Sequence, residues 1–218
     1  YSRNPFCFTL VPLLFESGDF QILLDNMTAK RMCILLVYEE NTLASKRIYD
    51  GRILQLNKDQ VLLPNGEQAD REVIHHHGGV CILAQDTDGS VLFVRQFRYP
   101  YHRLLLELPA GKLEPGENPL ICGKRELQEE TGATAEQFTS LGEFYPSCGY
   151  TDEVIYLYFA EGLRFGKQHL DADEFLDVLR IPLEKAVSMI LAGEVPDGKT
   201  QSAVLQVYLR QKGQINTK

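Results

Sequence analysis

A chain of 218 residues with 44% hydrophobic content can bury one sizeable core and leave room for a small second subdomain. Its formal net charge of -8 argues against nucleic acid or an anionic membrane surface as partner, because both call for a broad basic face. The five cysteines are odd in number and scattered, with no CxxC or Cys/His metal spacing, so they read as reduced thiols of a cytoplasmic protein.

The first stretch, residues 1–42, is a leader without a functional signal. Its apolar run from Phe6 to Phe15 is interrupted by Pro12 and lacks a basic flank or small-residue cleavage site, so no membrane span is expected. Met27 and Met32 stand just ahead of the first persuasive element, and part of the leader is expected to be mis-started sequence. From about residue 43 the pattern turns β-rich, with turn dipeptides at Asp50-Gly51, Asn65-Gly66 and Asp88-Gly89. Strands are expected at 47–56, 59–64, 78–84 and 91–97, the first two forming a small antiparallel subdomain over 43–75. The main domain is expected over 76–212, with a short tail at 213–218.

An acidic block follows. Glu107, Glu114, Glu117, Glu126, Glu129, Glu130 and Glu136 all fall within the segment 107–136. Asn118 suits a helix N-cap, Pro119 the first helical position and Gly132 the residue past the end, which predicts a helix over 119–131. On it Glu126, Glu129 and Glu130 share one face near the C-terminus, where like charge and the helix dipole both work against carboxylates. A hard divalent cation reverses both penalties, and carboxylate oxygens are ligands magnesium prefers. On its own the cluster reads equally as a solvated acidic face with Lys124 and Arg125 as partners. Beyond it an apolar run covers 154–163, and helical spacing recurs at 182–195 and 197–212, so the fold class is mixed α/β (α+β).

The spacing around the cluster is more specific. Gly111, Glu117, the Arg125-Glu126-Leu127 triplet, Glu129-Glu130 and Gly132-Ala133 match the Nudix box at every defined position, and the chain resembles that family of nucleoside-diphosphate-X hydrolases. The resemblance implies a mixed sheet sandwiched between helices. It also implies divalent metal, magnesium with manganese as alternative, held by Glu126, Glu129, Glu130 and the carbonyl of Ala110. Arg125 would pair with Glu117 and orient the helix.

The flanks "VRQFRYPYHRLLLELPAGKLEPGE" and "FYPSCGYTDE" resemble the ADP-ribose pyrophosphatase branch, with Glu107 in the approach to the box and Pro146 as the downstream proline. Arg95, Arg98 and Arg103 supply local cations for an anionic substrate. The resemblance implies hydrolysis of ADP-ribose to AMP and ribose 5-phosphate. GDP-mannose or another nucleotide sugar is the alternative substrate, and a sensing module without turnover the alternative class. The intact box favours the enzyme. By the same resemblance the general base lies on a loop where Asp171, Asp173 and Glu174 stand; Glu174 is preferred, with Glu153 as competitor. A homodimer with exchanged N-terminal strands is implied too, with Arg52, Arg71 and Glu72 lent to the partner's pocket. His75, His76 and His77 alternate faces if they lie on a strand, so they do not read as a metal site.

Overall fold

The computed structural model describes residues 38–170, 172 and 174–214, and Glu40–Lys218 form one compact unit. The leader to residue 37, the end of the tail, Asp171 and Asp173 lie outside the described residues.

Three antiparallel strands open the unit: β1 (Asn41–Asp50), β2 (Leu54–Leu62) and β3 (Gln68–His76), in the order β1-β2-β3. The strand expected at 47–56 is therefore two strand ends with a turn between them. The Gly51 N–H donates to the Leu54 carbonyl at 3.0 Å and reverses the chain at the Asp50-Gly51 dipeptide. The strand expected at 59–64 is the second half of β2, stopped by a turn in which the Gly66 N–H reaches the Leu63 carbonyl at 2.9 Å. All ten residues of β1 are exposed, Leu43, Ile48 and Tyr49 among them.

The remaining described residues build two sheets and three α-helices. β4 (Gly79–Ala84), β7 (Ala110–Lys112), β8 (Ala133–Phe144) and β9 (Ile155–Phe165) form a mixed sheet in the order β7-β4-β9-β8, in which β4 and β9 run parallel. β5 (Ser90–Arg98), β6 (Arg103–Glu107) and β10 (Leu176–Pro182) form an antiparallel sheet in the order β10-β5-β6. The helices are α1 (Pro119–Thr131), α2 (Leu183–Leu191) and α3 (Gly198–Gln211).

Every residue of β4 is buried, because the strand has a helix layer on both faces. Cys81 and Leu83 join a core with Phe93, Leu108 and the apolar stripes of α2 and α3. Val80 and Ile82 point the other way, into a core with Cys122 and Leu127 of α1. Leu127 is fully buried, and its truncation to Ala should cost about 2–5 kcal/mol of stability. Neither core draws on residues 41–76. Among the described residues, no helix is long and apolar enough to cross a membrane.

The expected boundaries of α1 are observed. The Asn118 side chain accepts from the N–H groups of Leu120 and Ile121, and Gly132 takes φ 71°, where its N–H donates to the Gln128 carbonyl. α2 ends before the expected 195 because the Gly193 and Glu194 N–H groups turn back onto the carbonyls of Ile190 and Met189.

Candidate active site

The turn from β7 into α1 creates the acidic face. Ala110 pairs with Cys81 on β4, which seats Gly111 directly under α1; a Cβ there would overlap the Glu126 carboxylate. The Ala110 N–H donates to Glu130 Oε2 at 2.9 Å. Strand and helix are thus fixed to each other by a backbone bond and by the close approach only glycine permits.

Arg125 holds three box carboxylates at once. Its Nη2 donates to Glu117 at 3.0 Å, and its Nη1 donates to Glu126 at 2.8 Å and Glu129 at 2.9 Å. That grip keeps the Glu117 carboxyl down at about 2 and raises the Arg125 pKa further above its ordinary value. Glu126 and Glu130 are perturbed in the opposite sense. Burial pushes Glu130 up to about 8, and the charges of Glu174 and Glu126 add to it, against the Ala110 N–H and the charge of Arg98. Glu126 is also raised by burial, with Arg125 opposing and Glu129 and Glu174 adding. Cys122 is pushed up to about 12 by burial, which leaves it a packing residue rather than a nucleophile.

These residues border a cleft of about 1070 Å³. Of the sequence-predicted site residues, Ala110, Arg125, Glu126, Glu129, Glu153 and Glu174 line it, as do Arg52, Arg98 and Pro146. Glu130 sits behind the lining, 2% exposed. Arg52 lines the cleft of its own chain, from the β1–β2 turn. Arg71 and Glu72 do not: Arg71 is paired with Glu40 at 2.6 Å, and Glu72 stands across from Lys58. Arg95 is likewise outside, paired on the sheet surface with Asp177 at 2.6 Å. Glu107 is 2% exposed, and both of its oxygens are taken by Arg98 and Lys199.

Two groups of residues shape the site in ways the sequence did not show: one it passed over, and one whose pairing it did not reveal. The first is the corner of Asp197, Gly198 and Lys199, which reaches the cleft from the start of α3. Asp197 caps the helix by accepting from the Thr200 N–H at 3.1 Å, and a Pro-Asp-Gly run before a helical pattern could have signalled that cap. The second is the seam between β3 and the loop carrying Glu153. His75 Nδ1 meets Asp152 at 2.6 Å, the His76 N–H donates to Asp152 at 2.9 Å, and the Gly78 N–H donates to His76 Nδ1 at 3.0 Å. The histidines orient a loop and do not converge.

Among the described residues, no three His, Cys, Asp or Glu side chains already form a metal-ligand cluster. The donor set nevertheless fits a hard divalent cation. Glu126, Glu129 and Glu130 offer only oxygen, Gly111 leaves the Glu126 carboxylate its space, and at Glu126 and Glu130 burial and neighbouring carboxylates outweigh Arg125 and Arg98, so both carboxyls stay raised.

Residues 75–202, more than half of the chain, match the NUDIX domain family, and residues 40–74 match the nucleoside diphosphate sugar hydrolase N-terminal domain. The chain belongs to the Nudix family. An ADP-ribose pyrophosphatase of Bacillus subtilis (strain 168) is 41% identical over 175 residues, which cover 79% of this chain and 95% of that protein. A methanol dehydrogenase activator of Bacillus methanolicus is 39% identical over 177 residues, with 80% and 96% covered. A GDP-mannose pyrophosphatase of Enterobacter sp. (strain 638) is 36% identical over 162 residues, with 68% and 83% covered. The solved structure of an ADP compounds hydrolase superposes with a TM-score of 0.70 at 19% identity, over 81% of this chain and 97% of that one, and supports the Nudix fold.

Proposed function

We propose that this Nudix protein hydrolyses the diphosphate bond of ADP-ribose, giving AMP and ribose 5-phosphate, as a divalent-metal-dependent enzyme. The observation that carries the reading is the shared cleft: carboxylates of the box helix, two further carboxylates outside the box, and Arg52, Arg98 and Arg103 border one volume. That combination suits an anionic, dinucleotide-like substrate on a protein of negative net charge. The identity to the Bacillus subtilis relative supports ADP-ribose as the substrate.

In this reading Glu126, Glu129 and Glu130, with the Ala110 carbonyl, hold magnesium or manganese. Such a metal neutralises phosphate oxygens and makes bound water more acidic. Arg98 and Arg52 bind the diphosphate, and Arg125 fixes the rotamers of Glu126 and Glu129. Glu174 takes the proton of the attacking water, with Glu153 as the competing base; both border the cleft. Each product departs as a phosphate monoester, so no strong general acid is required.

Two further assignments complete the reading. The exposed apolar residues of β1 support a homodimer built through the N-terminal sheet, in which Arg71 and Glu72 serve the partner's pocket. The free thiols of Cys81, Cys122 and Cys148 support the cytoplasm as working compartment. GDP-mannose is the second candidate substrate, favoured by the match to the Enterobacter protein. Product analysis on a magnesium-supplemented panel of ADP-ribose, ADP-glucose, GDP-mannose, NADH and a nucleoside triphosphate tests the proposal. AMP released chiefly from ADP-ribose is expected. Preferential release of GMP from GDP-mannose would replace the substrate, and no turnover of any member would replace the function.

A further inference from the structure

Lys199 is a buried cation at the cleft's edge, and nothing in the reaction as described above uses it. Its Nζ donates to Glu107 Oε2 at 2.5 Å and to Asp197 Oδ2 at 3.0 Å. Burial alone would discharge it, yet Asp197 and Glu107 hold its pKa above the ordinary lysine value. The same Glu107 is gripped by Arg98, with Nε donating to Oε1 at 2.7 Å and Nη2 to Oε2 at 2.8 Å. One buried carboxylate therefore serves two cations.

The helix start is tied twice to the chain at Glu107 and Leu108. Besides the Lys199 contact, the Leu108 N–H donates to Thr200 Oγ1 at 2.9 Å, while the Thr200 hydroxyl donates to Asp197 at 2.6 Å. The cap of α3 thus fixes where Lys199 meets Glu107. Arg98, Glu107, Lys199 and Asp197 form a neutral group of two cations and two anions, in which the capped start of α3 fixes where Glu107 sits and thereby how Arg98, held through Nε and Nη2, borders the cleft.

We infer that Lys199 is a positioning residue for Arg98, setting the orientation with which Arg98 meets the diphosphate of the substrate through the shared Glu107. The inference rests on the proposed ADP-ribose reading. Because the diphosphate is held before and during the reaction, loss of Lys199 should act on substrate binding more than on turnover.

The test is a set of steady-state measurements with ADP-ribose and magnesium, together with calorimetric binding of ADP-ribose without metal. Wild-type protein that neither binds nor hydrolyses ADP-ribose would overturn the functional reading, and this inference with it, before any variant is made. With wild type active, Lys199→Met should raise KM about tenfold and change kcat by less than about threefold, and Lys199→Arg should restore KM. In an Arg98→Ala background, Lys199→Met should add no further loss, because its effect runs through Arg98. Should Lys199→Met not fold, Lys199→Gln against Lys199→Arg makes the same comparison. An unchanged KM with only a lower melting temperature would overturn the inference, as would additive losses in the double variant, which would place Lys199 on the substrate itself.

Discussion

Two glutamates of this protein are buried to the same extent and held in opposite states. Glu107 in β6 and Glu130 in α1 are each 2% exposed. Burial alone would raise both. At Glu107, Arg98 and Lys199 overcome that burial and bring the carboxyl down to about 2. At Glu130 the Ala110 N–H and the charge of Arg98 do not offset burial and the charges of Glu174 and Glu126, and the carboxyl rises to about 8. At equal exposure, direct charge partners separate a carboxylate completed by the protein from one that calls for a cation from outside. The first organises the basic side of the cleft and the second its acidic side.

The sharpest break of that comparison is removal of one charge from each corner. Glu130→Gln or Glu126→Gln should lower turnover by about three orders of magnitude or more, by deleting a proposed metal ligand, while circular dichroism reports an unchanged fold. In the presence of chelator, Glu130→Gln should melt no lower than wild type, because an amide relieves a buried, under-compensated carboxyl. A clear drop in melting temperature would contradict the assignment. Glu107→Gln should do the reverse and destabilise the fold by about 3 kcal/mol in urea titration, because Arg98 and Lys199 lose their buried anion.

The pH response gives a smaller and more specific signal. The folded pKa of Glu107 lies below its unfolded value, so its stabilising contribution is complete above roughly pH 4.5 and fades as pH falls toward about 2. Thermal melts of wild type should lose stability over that acid range, and Glu107→Gln should flatten the part of the loss that belongs to this residue. Smallest is Arg125→Lys. It keeps the charge beside Glu117, Glu126 and Glu129 but not the fork that reaches all three, and should cost about 1 kcal/mol in chemical denaturation. An unchanged midpoint would mean that the fork adds nothing beyond charge.

Where order is set by neighbours in the chain, it could be read without the fold. α1 is bounded by Asn118, Pro119 and Gly132, all within a turn of the ends they define, and the helical spacing alone puts Glu126, Glu129 and Glu130 on one face. The spacing of the box residues identified the family for the same reason. The run at 47–56 failed because the β-rich residues on either side were joined across the Asp50-Gly51 turn signal, where the Gly51–Leu54 hydrogen bond reverses the chain. His75 and His76 read as a bare histidine run until the loop carrying Asp152 came to lie against them.

The sequence by itself determined the acidic helix, the mixed class of the fold and the chemistry its carboxylates suit, because those depend on residues a few positions apart. Only the tertiary structure decided that Lys199, 92 positions beyond Glu107, shares that carboxylate with Arg98, and that Arg95 pairs with Asp177 outside the cleft while Arg98 borders it. Ion pairs between distant segments depend on which strands and helices are brought together, and on how much water is removed when they meet.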